Sequence, residues 1–174
     1  MKIKIIKSKR CQEGVFGLSM GTIWGIILIV FFVIGAFFGI RAFLDYQRCA
    51  SIGLFFEDLQ SDVNRAWNSQ SSSFRFNSTL PAGSEWVCFI NVTAPAKNAS
   101  NIETGLYSEI TNAGWMSGKN TYLYAPKKDF CMNWFNINHI DLSQHNPICV
   151  KVAKNAASIK IDKKFEDNLV RLSA

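Results

Sequence analysis

The chain has little of what catalysis and metal binding usually draw on. Only two histidines occur in 174 residues, His139 and His145. They lie in a segment that reads as strand running into loop, with Asp141 between them and no third strong ligand nearby. Their spacing is not the i, i+4 pattern of a helical metal pair, so no metal site is assigned. There is no C-x-x-C, which excludes zinc-ribbon and thioredoxin-like motifs. There is no G-x-S-x-G, no glycine-rich phosphate loop and no paired acid/base signature among the scattered carboxylates. No catalytic residue and no cofactor-binding residue is therefore assigned, and the chain reads as a non-enzyme. Nor is there a cluster of Lys and Arg interleaved with aromatics, which argues against a nucleic-acid partner. Lys127-Lys128 and Lys163-Lys164 read as solvated surface. Phe74, Trp86, Tyr122, Tyr124, Trp134 and Phe135 fall in strand-like runs, where core packing explains them.

The absence with the largest consequence is of charge. Val15–Ile40 contains no Asp, Glu, Lys or Arg over 26 residues. As helix this is roughly 39 Å, against a hydrocarbon core of roughly 30 Å, so it can span a bilayer with some tilt. A cleavable secretory signal has a shorter apolar region of about 7–15 residues and a small-residue cleavage site, which Arg41-Ala42-Phe43-Leu44 does not supply. An uncleaved anchor, or cleavage on the cytoplasmic side of the run, fits better.

The charge that is present is unevenly placed. Residues 1–14 carry five Lys/Arg and one Glu, for +4, while residues 41–174 carry fourteen Lys/Arg and twelve Asp/Glu, for +2 of the total +6. This asymmetry is a topology signal. The tail is predicted to stay cytoplasmic and the C-terminal domain to be exported from the cell membrane. Cysteine usage agrees. Cys11 is in the tail, and Cys49, Cys88, Cys131 and Cys149 follow the span. Four cysteines in an exported domain predict two disulfides with three possible connectivities; buried free thiols are the alternative. Three sequons at Asn77, Asn91 and Asn98 are glycosylation candidates.

The organisation follows from periodicity. Residues 41–67 contain no proline, and Cys49, Ile52, Phe55, Phe56, Leu59, Val63 and Trp67 recur at spacings of three and four. That predicts an amphipathic helix continuing the span to about Trp67. Asp62 and Arg65 can pair across one turn. Beyond Asn68, strands are predicted at Phe74–Phe76, Glu85–Val92, Tyr122–Tyr124, Trp134–Leu142, Ile148–Val152, Ser158–Ile161 and Leu169–Leu172. Leu80-Pro81-Ala82-Gly83 is a turn and Ala94–Ser100 a loop. Asn101–Asn112 is a short helix or a further strand, and Asn155-Ala156-Ala157 turns a terminal hairpin. The divisions are 1–14 basic tail, 15–40 transmembrane helix, 41–68 amphipathic extension and 69–174 β-rich head. The 134 residues from Arg41 to Ala174 suffice for one domain.

At about 100° per residue, Gly17, Gly21, Gly25, Gly35 and Gly39 fall within an arc of about 80° on the helix. Small residues spaced by four let helices approach closely in lipid. On a straight helix this side differs from the apolar side of residues 49–67, leaving it for another subunit. The expected partners are membrane lipid and, through the glycine face, copies of this chain or another membrane protein.

Two resemblances add to this. Lys9-Arg10-Cys11-Gln12-Glu13-Gly14, followed by Val15-Phe16-Gly17-Leu18-Ser19, resembles the leader and mature start of the type IV pilin family in its archaeal form. Glu13 stands where many such leaders have Lys or Arg, and Ser19 where bacterial pilins have an acidic residue. The resemblance implies cleavage after Gly14, a β-rich head and assembly through N-terminal helices. The chain is also similar to small archaeal single-pass membrane proteins without an established activity. That similarity rests on Leu18–Ile23, Phe56–Val63, Leu80-Pro81, Trp86–Ile90 and Asn146–Val150. It implies pairing of Cys88 with Cys149 on neighbouring strands, which leaves Cys49 for Cys131. The expected fold is α+β: a long N-terminal transmembrane helix continuing into an amphipathic helix packed on a mainly antiparallel sheet. The expected role is a membrane-anchored pilin-like surface subunit, or else a permanently anchored adhesion or binding ectodomain or an accessory subunit of a membrane complex.

Overall fold

The computed structural model describes residues 20–112, 118–126 and 131–174. The basic tail, Gly14 and Gly17 lie outside them. The fold is α+β, with one long N-terminal helix, α1 (Met20–Trp67), and antiparallel sheets after it. The chain divides between Asp45 and Tyr46 into two units.

The first unit holds the apolar part of α1. Its best 18-residue window has a mean hydropathy of 2.8, long and apolar enough to cross a membrane. Its large side chains lie open, Phe31 at 69 % and Phe38 at 65 % exposure. Arg41 closes the run, its guanidinium 4.5 Å above the Phe37 ring.

The second unit begins on the same helix and changes character at Ile52. From there Ile52, Phe55, Phe56, Leu59, Val63 and Ala66 are buried. This is the expected three-and-four spacing with two differences: Cys49 is only half-buried, and the last position shifts. Ala66 takes the place given to Trp67, which stays 39 % exposed and stacks on His139 with ring centroids 3.7 Å apart. Asp62 and Arg65 form the expected ion pair at 3.2 Å. The last carbonyls of a helix have no partner of their own. Here Lys163 supplies one, donating from Nζ to the Trp67 and Ser69 oxygens at 2.9 and 2.8 Å.

Among the described residues seven strands follow: β1 (Ser72–Thr79), β2 (Trp86–Phe89), β3 (Thr121–Tyr124), β4 (Trp134–Phe135), β5 (Ile148–Lys151), β6 (Ala156–Lys163) and β7 (Arg171–Ser173), with the helix α2 (Asn101–Asn112) between β2 and β3. They build two antiparallel sheets, ordered β1-β6-β7 and β4-β3-β2-β5. In β6 the alternation is clean, with Ala157, Ile159 and Ile161 buried. They join Phe76, Val87, Phe89, Leu123, Val150 and the buried residues of α1 in the main core. The centre of the four-stranded sheet reads differently, as the near-continuous apolar run of β2, because both its faces are covered. Val87 and Phe89 enter the main core, while Cys88 and Cys149 enter a second cluster with Leu106 and Ile110 of α2.

Three departures from the sequence expectation have local causes. The strand expected over Trp134–Leu142 pairs in the ladder at Trp134 and Phe135, and again at Ile140 through an isolated parallel bridge to Val170. Between the two, side-chain amides take over its backbone bonds. Asn120 accepts from the Ile137 N–H at 2.8 Å and donates to the Ile137 carbonyl at 2.7 Å, and Gln60 accepts the Asn138 N–H at 2.7 Å. His139 then turns the chain with φ of 66°. The strand expected over Glu85–Val92 ends at Phe89, because Asn91 folds back on Thr93. The turn placed at Asn155-Ala156-Ala157 lies one residue earlier. Lys154 and Asn155 both have positive φ, and Ala153 and Ala156 exchange two bonds of 2.9 Å across them. That is the mirror-image turn suited to tight reversals, and it carries the chain from β5 in one sheet to β6 in the other. Asn101–Asn112 is helix throughout.

Candidate functional site

The four cysteines after the span form two bonds within the head. Cys88 and Cys149 are bonded to each other, as are Cys49 and Cys131. The first pair sits at directly opposed positions of β2 and β5. The Cys149 N–H does not point at β2, because it donates to Glu103 Oε1 at 3.1 Å. The pair is therefore a non-hydrogen-bonded one, the register that brings opposed side chains closest in an antiparallel ladder. Its Cα atoms are 4.1 Å apart.

Glu103 was not singled out by the sequence reading, yet it joins three pieces of structure. Ser100 caps α2, accepting the Glu103 N–H at 3.3 Å, and Glu103 Oε2 returns the bond by accepting the Ser100 N–H at 2.8 Å. The signal was legible as Ser100-Asn101-Ile102-Glu103, the S-x-x-E spacing of a capping box. The other carboxylate oxygen closes the open edge of β5 beside Cys149. Burial alone would raise the Glu103 pKa; the bonds from Ser100 and Cys149 outweigh it and leave it below its ordinary 4.5. A group held below its unfolded value stabilises the fold above that value, and the contribution is lost as pH falls through the folded pKa. Glu103→Gln should therefore lower stability near neutrality, where the carboxylate contributes, and flatten the acid side of the stability–pH curve, so that the two proteins converge at the acid end below about pH 4.5. Thermal melts from pH 3 to 7 measure this, and parallel acid limbs in the two proteins would count against it.

A second hub was also missed. Asn146 is 1 % exposed. Its Oδ1 accepts the Asn91 N–H at 2.8 Å, and its Nδ2 donates to the carbonyls of Asn91, Ala94 and Pro95. One side chain thus ties together the backbone of the 91–95 loop, whose Ala94 carbonyl also accepts the Tyr107 hydroxyl at 2.8 Å.

The other sequence candidates are dispersed. Gly21, Gly25, Gly35 and Gly39 lie on α1 in the first unit. A Cβ built on Gly25, Gly35 or Gly39 meets nothing within 4 Å, so no neighbour within the chain requires glycine there. Asn77 is in β1, Asn91 follows β2 and Asn98 precedes α2; all three are exposed. His139 stacks on Trp67, and His145 is exposed. Asp141 Oδ1 accepts the Ser143 N–H at 2.9 Å, and the Ser143 side chain, then its backbone, hold the Asp141 pKa below the ordinary value. Asp141 lines a groove of 440 Å³ with Lys119 and Asn120, and neither histidine lines it. Among the described residues no three His, Cys, Asp or Glu side chains group as a metal site.

A larger groove of 560 Å³ runs beside the C-terminal part of α1. Phe56, Met132 and Phe135 supply apolar surface, Phe56 stacking on Phe135 with centroids 3.7 Å apart, and Gln60, Asn64 and Asn136 supply amides. Comparison of the chain with protein-family models, curated proteins and solved structures gave no match.

Proposed function

We propose that the protein is a membrane-anchored, non-catalytic, pilin-like surface subunit that assembles through its N-terminal helix. The observation that carries this reading is the change of character along α1. Its apolar residues are exposed as far as Leu44, and buried positions begin at Ile52. The first stretch is suited to lipid and to other helices, and the second carries the head against its sheets. The basic tail supports a cytoplasmic N-terminus. The two disulfides suit a head on the oxidising side of the membrane. The glycine face then offers close approach to copies of this chain or another membrane protein. The 560 Å³ groove favours a second reading, a permanently anchored binding ectodomain.

N-terminal sequencing of the native membrane and sheared surface fractions separates the two. A chain beginning at Val15 in the sheared fraction is expected for the filament subunit. An unprocessed chain confined to the membrane would remove that reading and leave the anchored ectodomain. In parallel, Gly35→Leu/Gly39→Leu should weaken self-association at least tenfold in detergent or bilayer. Both sites have room for a side chain within the chain itself, so the head should melt as before. Unchanged association would discard the glycine face.

A further inference from the structure

We propose that Asn91 is a glycan-acceptor site of the head, the one sequon of three whose folded geometry already closes the amide onto the hydroxyl residue of its own sequon; this rests on the reading of the head as exported.

The backbone of Asn91 is fixed on both sides by Asn146, whose Oδ1 accepts its N–H at 2.8 Å and whose Nδ2 donates to its carbonyl at 2.9 Å. The side chain is exposed. Its Oδ1 accepts the Thr93 N–H at 3.0 Å and the Thr93 hydroxyl at 2.7 Å. A backbone N–H can only donate, so the oxygen must be the atom that faces it, and the orientation of the amide is settled by chemistry. Among the described residues Nδ2 then has no acceptor. Two hydrogen bonds to Oδ1 draw electron density from the amide and ease loss of a proton from Nδ2. They also place the hydroxyl that defines the sequon beside the amide it serves.

The transfer is a substitution with a lipid-linked oligosaccharide diphosphate as co-substrate. Nδ2 attacks the anomeric carbon, and a C–N bond forms. The anomeric C–O bond breaks, and the lipid diphosphate departs with the electron pair. One Nδ2 proton passes to a base of the transferase, and nothing is oxidised or reduced. The product has a place to lie. Asn91 and Thr93 line the 440 Å³ groove, where Lys119, Asp141 and Ser143 offer polar partners to sugar hydroxyls and Ile140 and Leu142 an apolar surface to sugar rings.

The other two sequons lack that closure. Asn98 has φ of 54°, and its Nδ2 donates to the Gln144 carbonyl at 2.8 Å. The hydroxyl of its sequon, on Ser100, is occupied as the cap of α2. Asn77 and Thr79 are held extended in β1 opposite Ser158 and Ala156, and closing the Asn side chain onto Thr79 would require unpairing that end of the strand.

The test is peptide mass spectrometry on the protein purified from its own cells, digested without reduction. The Asn91 peptide is expected to carry a saccharide mass, and the Asn77 and Asn98 peptides to be bare. Asn91→Gln should lose that mass. Thr93→Ala should lose it too while keeping the backbone bond to Asn91, which separates loss of the acceptor from loss of the turn. A saccharide on Asn77 or Asn98 with Asn91 bare would overturn the assignment. Bare Asn91 with both disulfides formed would overturn it and leave the exported head standing; bare Asn91 with free cysteines would overturn both.

Discussion

Phe55→Ala is expected to destabilise the head by about 3–5 kcal/mol, the range for truncating a buried phenylalanine. Phe55 is 1 % exposed. Its ring meets Phe56 and Phe76 edge to face, with centroids 5.0 and 5.3 Å away. Truncation would remove its own transfer energy, two aromatic contacts and the filling of the space between them. Relaxation would be limited, because Phe56 is committed to Phe135 and Phe76 is held in the β1–β6 ladder. Denaturation followed through the head tryptophans measures the loss. Phe37→Ala is the control. Phe37 is 50 % exposed and belongs to the apolar stretch of α1 in the first unit, so the head should unfold within about 0.5 kcal/mol of the parent protein. Equal effects from the two truncations would mean that the burial beginning at Ile52 does not stabilise the head.

The contrast between Phe37 and Phe55 was readable in the sequence, and the reason is period. A helix repeats every 3.6 residues, so charge on one side and Ile, Phe, Leu and Val on the other declare a buried face within a few turns. Trp67 marks where the pattern misleads. It has the right spacing, but the helix ends there, and the indole lies over His139 with its Nε1 donating to the Asn168 carbonyl at 3.2 Å. That partner is 101 residues away, outside the reach of any local pattern.

The sheets were legible as strands and not as an arrangement. Alternation in Ser158–Ile161 identified a strand with one buried face, but nothing in it distinguishes one sheet from two. The division depends on the Lys154-Asn155 turn, which passes the chain between them. Strand ends were misplaced where side chains imitate backbone, as Asn120 does for Ile137 and Asn146 for Asn91. An amide acting as a ladder partner has no periodicity, so it leaves no trace in a window of residues. The capping box at Ser100 and Glu103 is the opposite case, a local signal whose bond to Cys149 could not be foreseen because its partner is 46 residues on.

Removing the Cys88–Cys149 bond with the pair Cys88→Ala/Cys149→Ala is expected to cost about 4 kcal/mol. The two cysteines are 61 residues apart in sequence. In the chain-entropy account, freeing a loop of that length returns roughly this much to the unfolded state. The folded state should change less, since β2 and β5 remain paired at Trp86, Val87 and Phe89 as well as at the cysteines. Cys49 and Cys131 close a loop of similar order, 82 residues apart, so loop length alone makes the two bonds nearly equal in worth. Access separates them. Cys88 is 0 % and Cys149 6 % exposed, packed under Leu106 and Ile110 of α2, whereas Cys131 is exposed. Thiol–disulfide exchange needs a path for the attacking thiolate to a sulfur. A mild reductant should therefore open Cys49–Cys131 first and reach Cys88–Cys149 only as the head unfolds. Graded reduction with alkylation and peptide mapping reads the order, and melting of each double variant reads the energies. Label appearing first on Cys88 and Cys149 would mean that α2 does not seal that cluster in solution. A loss below about 1 kcal/mol for the alanine pair would mean that the unfolded chain is already held compact without the bond.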